Sequence, residues 1–305
     1  MSKLVSVIIP TYKRPETLTR SVDSVLSQTH KNIEVVVVDD NGIGTEFGLK
    51  TAEVMSRYAN DSRVKYVQHE KNINGSAARN TGIRASKGEY IMFLDDDDEF
   101  LPVKAESQLE RLEGLDESWG ACYSDYVRVS PDGSKLVSRC KETAEGDMLF
   151  HELSRNFFIA AGSNLMVRRS VIDDLGGFNE SFVRNQDISF LVKILKKYKI
   201  ARADKVGLRV HVHPRNTHKE TFEQITTRFI ESFKDDINAL PPEKQKDFYR
   251  MINLQRFRSF FGKSSTRGEA IKLIKNKDVK ILDAIRYVFH LAYRKIFKVS
   301  RGFRL

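Results

Sequence analysis

Four short runs rich in strand-forming residues, separated by helical patterns, constrain this chain more than any other feature of its sequence. They are Leu4–Ile9 (LVSVII), Ile33–Val38 (IEVVVV), Val64–Gln68 (VKYVQ) and Tyr90–Leu94 (YIMFL). A run such as VVVV, with no polar alternation, suits a strand covered on both faces, as in a parallel sheet. Between the first two runs Pro15 stands where it can open a helix. Leu18, Val22, Val25 and Leu26 follow at i, i+4, i+7 and i+8, one apolar stripe. Further helices are predicted over Phe47–Tyr58 and from Ser76 to Ser86. This alternation predicts a doubly wound α/β domain with right-handed crossovers. After Pro102 a helix carrying Leu109 and Leu112 ends near Gly114, and residues 121–123 read as strand. An apolar, glycine-bearing stretch spans Phe157–Val167, and a strong helical pattern covers Ile188–Tyr198. Beyond Ala203 the chain reads as polar, basic and largely helical.

The 305 residues, 40% of them hydrophobic, suffice for one large α/β domain with an appendage, or for two domains, and exclude a disordered chain. The two cysteines, Cys122 and Cys140, have no CxxC partner and no histidine at zinc spacing. That excludes a disulfide scaffold and a cysteine-ligated zinc, and makes a reducing compartment the default. The first apolar run stops at Pro10 and is too short for a signal peptide, and no stretch approaches the roughly 18 to 20 apolar residues of a membrane span. The expectation is a protein of the cytoplasm. Its net charge of +10 is unevenly placed: residues 241–305 hold 17 Lys/Arg against 5 Asp/Glu. The basic balance therefore belongs to the tail.

In an open parallel sheet, ligands collect at the carboxyl ends of the strands where strand order reverses. The first run ends in Pro10-Thr11-Tyr12-Lys13-Arg14, the second in Asp39-Asp40-Asn41, and the fourth in Asp95-Asp96-Asp97-Asp98. The third leads to NINGSAARN at 72–80. Four strands thus deliver hydroxyls, carboxylates and an arginine to one rim. Four consecutive carboxylates repel one another, so a hard cation, Mg²⁺ or Mn²⁺ with phosphate oxygens completing its shell, is a natural neutraliser. A solvated acidic turn ahead of the next helix is the plainer reading. An EF-hand is a poor match, because Phe100 stands where that loop needs glycine. Asp40 could accept from a nucleobase N–H or close an Asx-turn. An NAD site is a poor match, because the turn after the first strand is PTYKRP and not a glycine fingerprint.

The series VSVIIPTYKRPETLTRSVDSVLSQTH, IEVVVVDDN, NINGSAARNTGIRASKGEYIMFLDDDDEFLP, SNLMVRRSVIDDLGGFNESF and NQDISFLVKIL resembles the family 2 glycosyltransferases, in order, over residues 4 to 195. The resemblance implies the GT-A fold, a Rossmann-like, doubly wound, mostly parallel mixed sheet. It also implies metal-assisted, inverting transfer of a sugar from a nucleoside diphosphate donor. Thr11 and Asp40 match positions that bind the nucleobase, with Tyr12 beside them. Arg14, Gly75 and Arg79 match loops that close over the nucleotide. In the DxD motif, Asp97 is the implied metal ligand and Asp95 or Asp96 the ribose contact. Asp187 matches the general base. The residue before it is Gln186 where the family often has Glu, and the middle of the DxD motif is Asp96 where a small residue is common.

The chemistry suits these residues. A sugar diphosphate leaves as a dianion that cations stabilise, and the incoming hydroxyl must lose its proton to a carboxylate on the opposite side. Asp187 at a helix start would be a base of lowered pKa, or simply an N-cap. His211 and His213 alternate on a predicted strand and could serve the metal or the diphosphate, with His213 the candidate metal ligand, or could be exposed histidines near a turn. In the tail, Ile281, Ile285, Val288, Phe289, Ala292, Ile296 and Val299 form one stripe and Asp283, Arg286, His290, Arg294 and Lys298 the opposite one. Such a helix suits an anionic membrane surface, or packing on the catalytic domain. Nucleic acid is not an expected partner, since no recognition element accompanies the charge.

The sequence thus predicts a glycosyltransferase domain over 1–215, with residues 1–102 binding the nucleotide and residues 103–215 the acceptor, and a basic helical region over 216–305. A UDP-sugar is the expected donor, and a glycan or lipid-linked saccharide the acceptor, in surface polysaccharide synthesis at the inner face of the membrane. The competing readings are a sugar-phosphate nucleotidyltransferase and a non-catalytic membrane-associated binding protein.

Overall fold

In the computed structural model, which describes residues 2–182, 184–213, 221–262 and 264–305, the four valines of 35–38 are all buried. Val35 and Val37 share a cluster with Leu18, Val22 and Val25, whereas Val36 and Val38 face the other way, against Ala78. Two-sided burial is why this strand lacks polar alternation.

The chain runs β1 (Val5–Thr11), α1 (Pro15–Leu26), β2 (Ile33–Asp39), α2 (Glu46–Ser56), β3 (Val64–Gln68), α3 (Gly75–Ala85), β4 (Tyr90–Phe93), β5 (Glu99–Phe100) and α4 (Lys104–Glu113). Then come β6 (Trp119–Val129), β7 (Leu136–Cys140), α5 (Leu149–Leu153), α6 (Ala161–Asn164), β8 (Met166–Arg168), α7 (Arg169–Leu175), α8 (Gln186–Leu195) and β9 (Lys199–His211). Helices α9 (Phe222–Ser232), α10 (Lys234–Asn238), α11 (Pro242–Phe261), α12 (Arg267–Lys275) and α13 (Ile281–Ile296) precede a two-residue strand, β10 (Val299–Ser300).

Two compact units result: Met1–Met148 with Ile159–Val212, and Leu149–Phe158 with His213–Leu305. The division expected at 215/216 lies at 212/213, and the second unit also takes the excursion Leu149–Phe158, which has no local signature in the sequence.

In the first unit β1 pairs in parallel with β2 on one side and β4 on the other, and β3 extends the block beyond β2. Strand order therefore reverses beside β1, the place where an open parallel sheet gathers ligands. Beyond β4 comes β8, antiparallel to it, and then β6, antiparallel to β8, with β7 antiparallel and β9 parallel to β6. This is the mixed, mostly parallel sheet that the sequence predicts. One expectation fails: the chain does not turn helical at Ala203 but stays extended to His211. The two arginines of this strand are paired. Arg202 donates to both oxygens of Asp125 at 3.0 and 2.9 Å, and Arg209 to Glu99 at 2.7 Å.

A buried polar knot fixes α4 to the sheet. Lys104 Nζ, fully buried, donates to Asn164 Oδ1 at 2.5 Å and to Ser124 Oγ at 3.1 Å, and Gln108 Nε2 donates to the carbonyls of Cys122 and Asn164. Desolvation pulls the pKa of Lys104 down to about 7. Cys122 and Cys140 are both free thiols, buried, and burial pushes each up to about 12.

The second unit is helical, as its composition predicts. Met251, Leu254 and Phe257 of α11 pack with Ala270, Val279, Ala284, Tyr287 and Phe303. Arg250 pairs with the buried Asp283 at 2.7 Å. The amphipathic helix α13 is present but faces its apolar stripe outward: Phe289 is 71% and Ile296 73% exposed, whereas Asp283 of the polar stripe is 4% exposed, with Ala284 and Tyr287 buried beside it. Among the described residues, no helix is long and apolar enough to cross a membrane.

Candidate active site

Thr11 ends β1 and is buried beside the acid loop that follows β4. Its Oγ1 donates to Asp96 Oδ2 at 2.7 Å, and the Tyr12 amide reaches the same oxygen at 3.3 Å. Arg14, the residue before α1, ion-pairs with Asp97 and lies 3.4 Å from Asp96 Oδ1. From within α1, Arg20 Nη2 donates to the Asp97 carbonyl at 2.6 Å and Ser21 Oγ to the Asp98 carbonyl at 2.8 Å. The loop after β1 and the loop after β4 are thus laced into one surface.

This lacing also explains how four adjacent carboxylates coexist. On sequence alone nothing compensates them short of a cation; the structure supplies arginines and burial. Arg14 serves Asp97 and Asp96, and Arg79 Nη2 donates to Asp95 Oδ1 at 2.6 Å. Burial pushes Asp96 up to about 7, opposed by Thr11 and Arg14. Asp98 turns into the interior, accepts from the His211 amide at 3.1 Å, and rises to about 8, mainly through burial.

On the β2 side, Asp40 is turned toward the loop after β3. Its Oδ1 lies 2.7 Å from His69 Nδ1 and accepts from the Ile73 amide at 2.9 Å, while Oδ2 accepts from Asn72 Nδ2 at 2.8 Å. Asp40 therefore shapes the 72–75 loop. The Asx-turn at this strand end belongs to Asp39, whose Oδ1 accepts from the Asn41 amide at 2.8 Å. Gly75 begins α3, and a Cβ there would stand 2.6 Å from Gln186 Oε1, so only glycine lets Gln186 approach. Gln186 Oε1 in turn accepts from Arg79 Nη1 at 3.1 Å.

Together these groups enclose a cleft of about 640 Å³. Thr11, Tyr12, Arg14, Asp40, Gly75, Arg79, Asp95 and Asp96, eight residues named from the sequence as nucleotide-binding, all line it. Asp97 is fastened to its wall through Arg14. Asn72, Ile73, Asn74 and Gln186 line it too. His69, which braces Asp40, escaped notice in the sequence although it directly follows the third strand and so stands on the same rim.

Asp187 is the second residue of α8, beside Gln186; the N-cap is Asn185, so the capping role is excluded. The expectation of a lowered pKa is also overturned. Burial raises it, the charge of Asp95 raises it further, and Arg79 with the helix amides opposes without prevailing. Desolvation outweighs the helix terminus here. His211 is buried in β9 with Nδ1 3.1 Å from the Pro131 carbonyl. His213 belongs to the second unit.

A divalent cation fits the donor set. Asp95 and Asp97 offer hard oxygens at the cleft, and Gly162 leaves space beside Asp95, where a Cβ would stand 2.9 Å from Oδ2. Mg²⁺ and Mn²⁺ take one or two carboxylates and complete their shells with water and phosphate. Among the described residues, no three His, Cys, Asp or Glu side chains converge to hold an ion unaided, so substrate oxygens would have to contribute.

The glycosyl transferase family 2 model matches residues 6–176. The chain is 32% identical over 210 residues to the amylovoran biosynthesis glycosyltransferase AmsB of Erwinia amylovora, covering 67% of this chain and 65% of that one. It is 26% identical over 298 residues to the GalNAc(5)-diNAcBac-PP-undecaprenol beta-1,3-glucosyltransferase of Campylobacter jejuni, covering 92% and 90%. The chain spans less than two thirds of the length of the first three curated relatives it matches. Among solved structures, S. aureus TarS 1–349 in complex with UDP-GlcNAc shares the fold, with a TM-score of 0.61 and 19% identity over 88% of this chain and 76% of that one. With the motifs in order, the sheet reversing beside β1 and the acid loop at that edge, the chain belongs to glycosyl transferase family 2.

Proposed function

We propose that this chain is a metal-assisted, inverting glycosyltransferase that moves a sugar from a UDP-sugar to a hydroxyl of a lipid-linked glycan, at the inner face of a membrane. The observation that carries the reading is the cleft itself: groups from four strand ends meet there, with the Asp187 carboxylate under the influence of Asp95 and Arg79. A UDP donor is supported by the fold shared with a UDP-GlcNAc complex, and a lipid-linked acceptor by the name of the Campylobacter relative.

The chain's own groups divide the work. Tyr12 and Ile73, 43% and 51% exposed at the mouth, offer apolar faces to the base. Thr11 and Asp96 hold the floor beneath the ribose, with Asp95 beside them. Arg14 and Arg79 face the charge that develops on the leaving diphosphate. Mn²⁺ or Mg²⁺ at Asp97 supplies further positive charge to that leaving group when bound. Asp187 takes the proton of the acceptor hydroxyl as it attacks from the opposite side, which inverts the anomeric centre.

Outward-facing Ile281, Ile285, Phe289 and Ile296 on α13, together with the net positive charge of residues 241–305, support peripheral contact with an anionic membrane.

The test is donor turnover. Incubation with UDP-sugars, Mn²⁺ and a lipid-linked acceptor should release UDP, and Asp97→Ala should abolish the Mn²⁺-dependent gain in UDP affinity. Release of diphosphate from UTP and a sugar phosphate would instead make the chain a nucleotidyltransferase.

A further inference from the structure

The second unit contains a cavity of about 470 Å³ that the transfer reaction leaves unused. Three arginines, Arg155, Arg258 and Arg294, line it, with aromatic walls from Phe158, Tyr287 and Phe303, and among the described residues no acid lines it. Arg155 follows α5 in the left-handed region, φ 53°, where glycine or asparagine is the usual occupant. Its Nη1 donates to Thr226 Oγ1 at 3.2 Å, and its guanidinium lies 5.7 and 5.4 Å from the rings of Phe222 and Phe229. Among the described residues, no carboxylate pairs with Arg155 or Arg258. Burial pulls the Arg155 pKa down, since no acid offsets the desolvation. Arg294 lies over Phe158 at 4.5 Å. Arg155 and Arg294 are half-buried and Arg258 is exposed at the rim, and partly desolvated positive charge with no acid beside it attracts an anion.

Tyr287, buried, and Arg294, half-buried, come from α13, whose other face is the exposed apolar row. Planar guanidiniums recognise phosphate oxygens two at a time. We propose that this cavity binds the diphosphate head of a membrane-anchored polyprenyl lipid, with Arg155, Arg258 and Arg294 holding the phosphates while the apolar face of α13 rests in the bilayer. The choice of a lipid-borne diphosphate rests on the lipid-linked acceptor reading; the acid-free arginine cavity stands apart from it.

The probes are phosphatidylcholine vesicles bearing a small fraction of polyprenyl diphosphate, matched vesicles bearing phosphatidylglycerol at equal charge, and free inorganic diphosphate. The full-length chain should co-sediment with the first more strongly than with the second. Arg155→Gln with Arg258→Gln should weaken that binding about tenfold, as expected for the loss of charge-assisted phosphate contacts. Ser259→Glu, which puts a carboxylate into the cavity, should do the same and serves if the double variant fails to fold. UDP affinity with Mn²⁺ should be unchanged in both. Parental binding by the variants overturns the proposal. So does equal, equally arginine-dependent binding to phosphatidylglycerol. Arginine-dependent binding of free diphosphate without vesicle uptake overturns the lipid source. Arginine-dependent capture of the diphosphate vesicles by a chain that releases no UDP would leave the site standing while the transferase reading fell. UDP release with no such capture would do the reverse.

Discussion

Asp187 is a carboxylate in surroundings that resist its ionisation, and a base must be ionised to act. Its pKa is raised by burial and by Asp95, and held back by Arg79. The acid limb of a kcat–pH profile should therefore lie above the ordinary carboxylate range, with activity lost as pH falls through it. Arg79→Met removes the opposing charge and should move that limb to higher pH. Asp187→Asn should cut kcat by about 10²- to 10⁴-fold, the usual contribution of general-base catalysis, with UDP affinity near parental. An unchanged pH limb in Arg79→Met would place the titrating group elsewhere. Most cleft residues were legible because each follows a strand, and parallel strands share one catalytic edge. The Asp187 environment was not: its pKa is set by Asp95, distant in the sequence, and by burial, neither of which a local pattern encodes.

Among the elements, α4 depends on the knot of Lys104, Ser124 and Asn164. The folded-state pKa of Lys104 is lowered to about 7, so between there and its ordinary value the unfolded chain binds the extra proton. Stability from this group is fully present only above its unfolded pKa and is lost as pH falls through the folded one. Melting temperature should therefore rise with pH from neutrality into the alkaline range, and Lys104→Met should flatten that rise. An identical slope in the variant would show that the lysine is charged in the folded protein. Strands β1, β2 and β4 could be read from their unbroken apolar runs, because both faces are covered. Strand β9 could not, since its exposed half is Arg, Asp and Lys, and the partners that hold its arginines, Asp125 and Glu99, lie on other strands.

At the scale of the whole molecule, charge and chemistry are separated. The first unit carries the cleft; the second carries the basic surplus and the outward apolar face of α13. Truncating the tail would be a poor test of membrane contact, because Ala284, Tyr287 and Phe303 belong to the second unit's core. Substituting the exposed face is cleaner. Ile285→Glu with Phe289→Glu should abolish co-sedimentation with anionic vesicles and leave UDP release to a water-soluble acceptor unchanged; full retention on the vesicles would assign that face another occupant. The two cysteines, finally, matter for how this protein can be watched at work. Both thiols are shielded and scarcely form thiolate near neutrality, so alkylating reagents should pass them by. A cysteine introduced at the solvent-facing Ile73 would then be the sole labelling handle, and a dye attached there would report each arrival of donor at the cleft without first stripping the native sulfur from the chain.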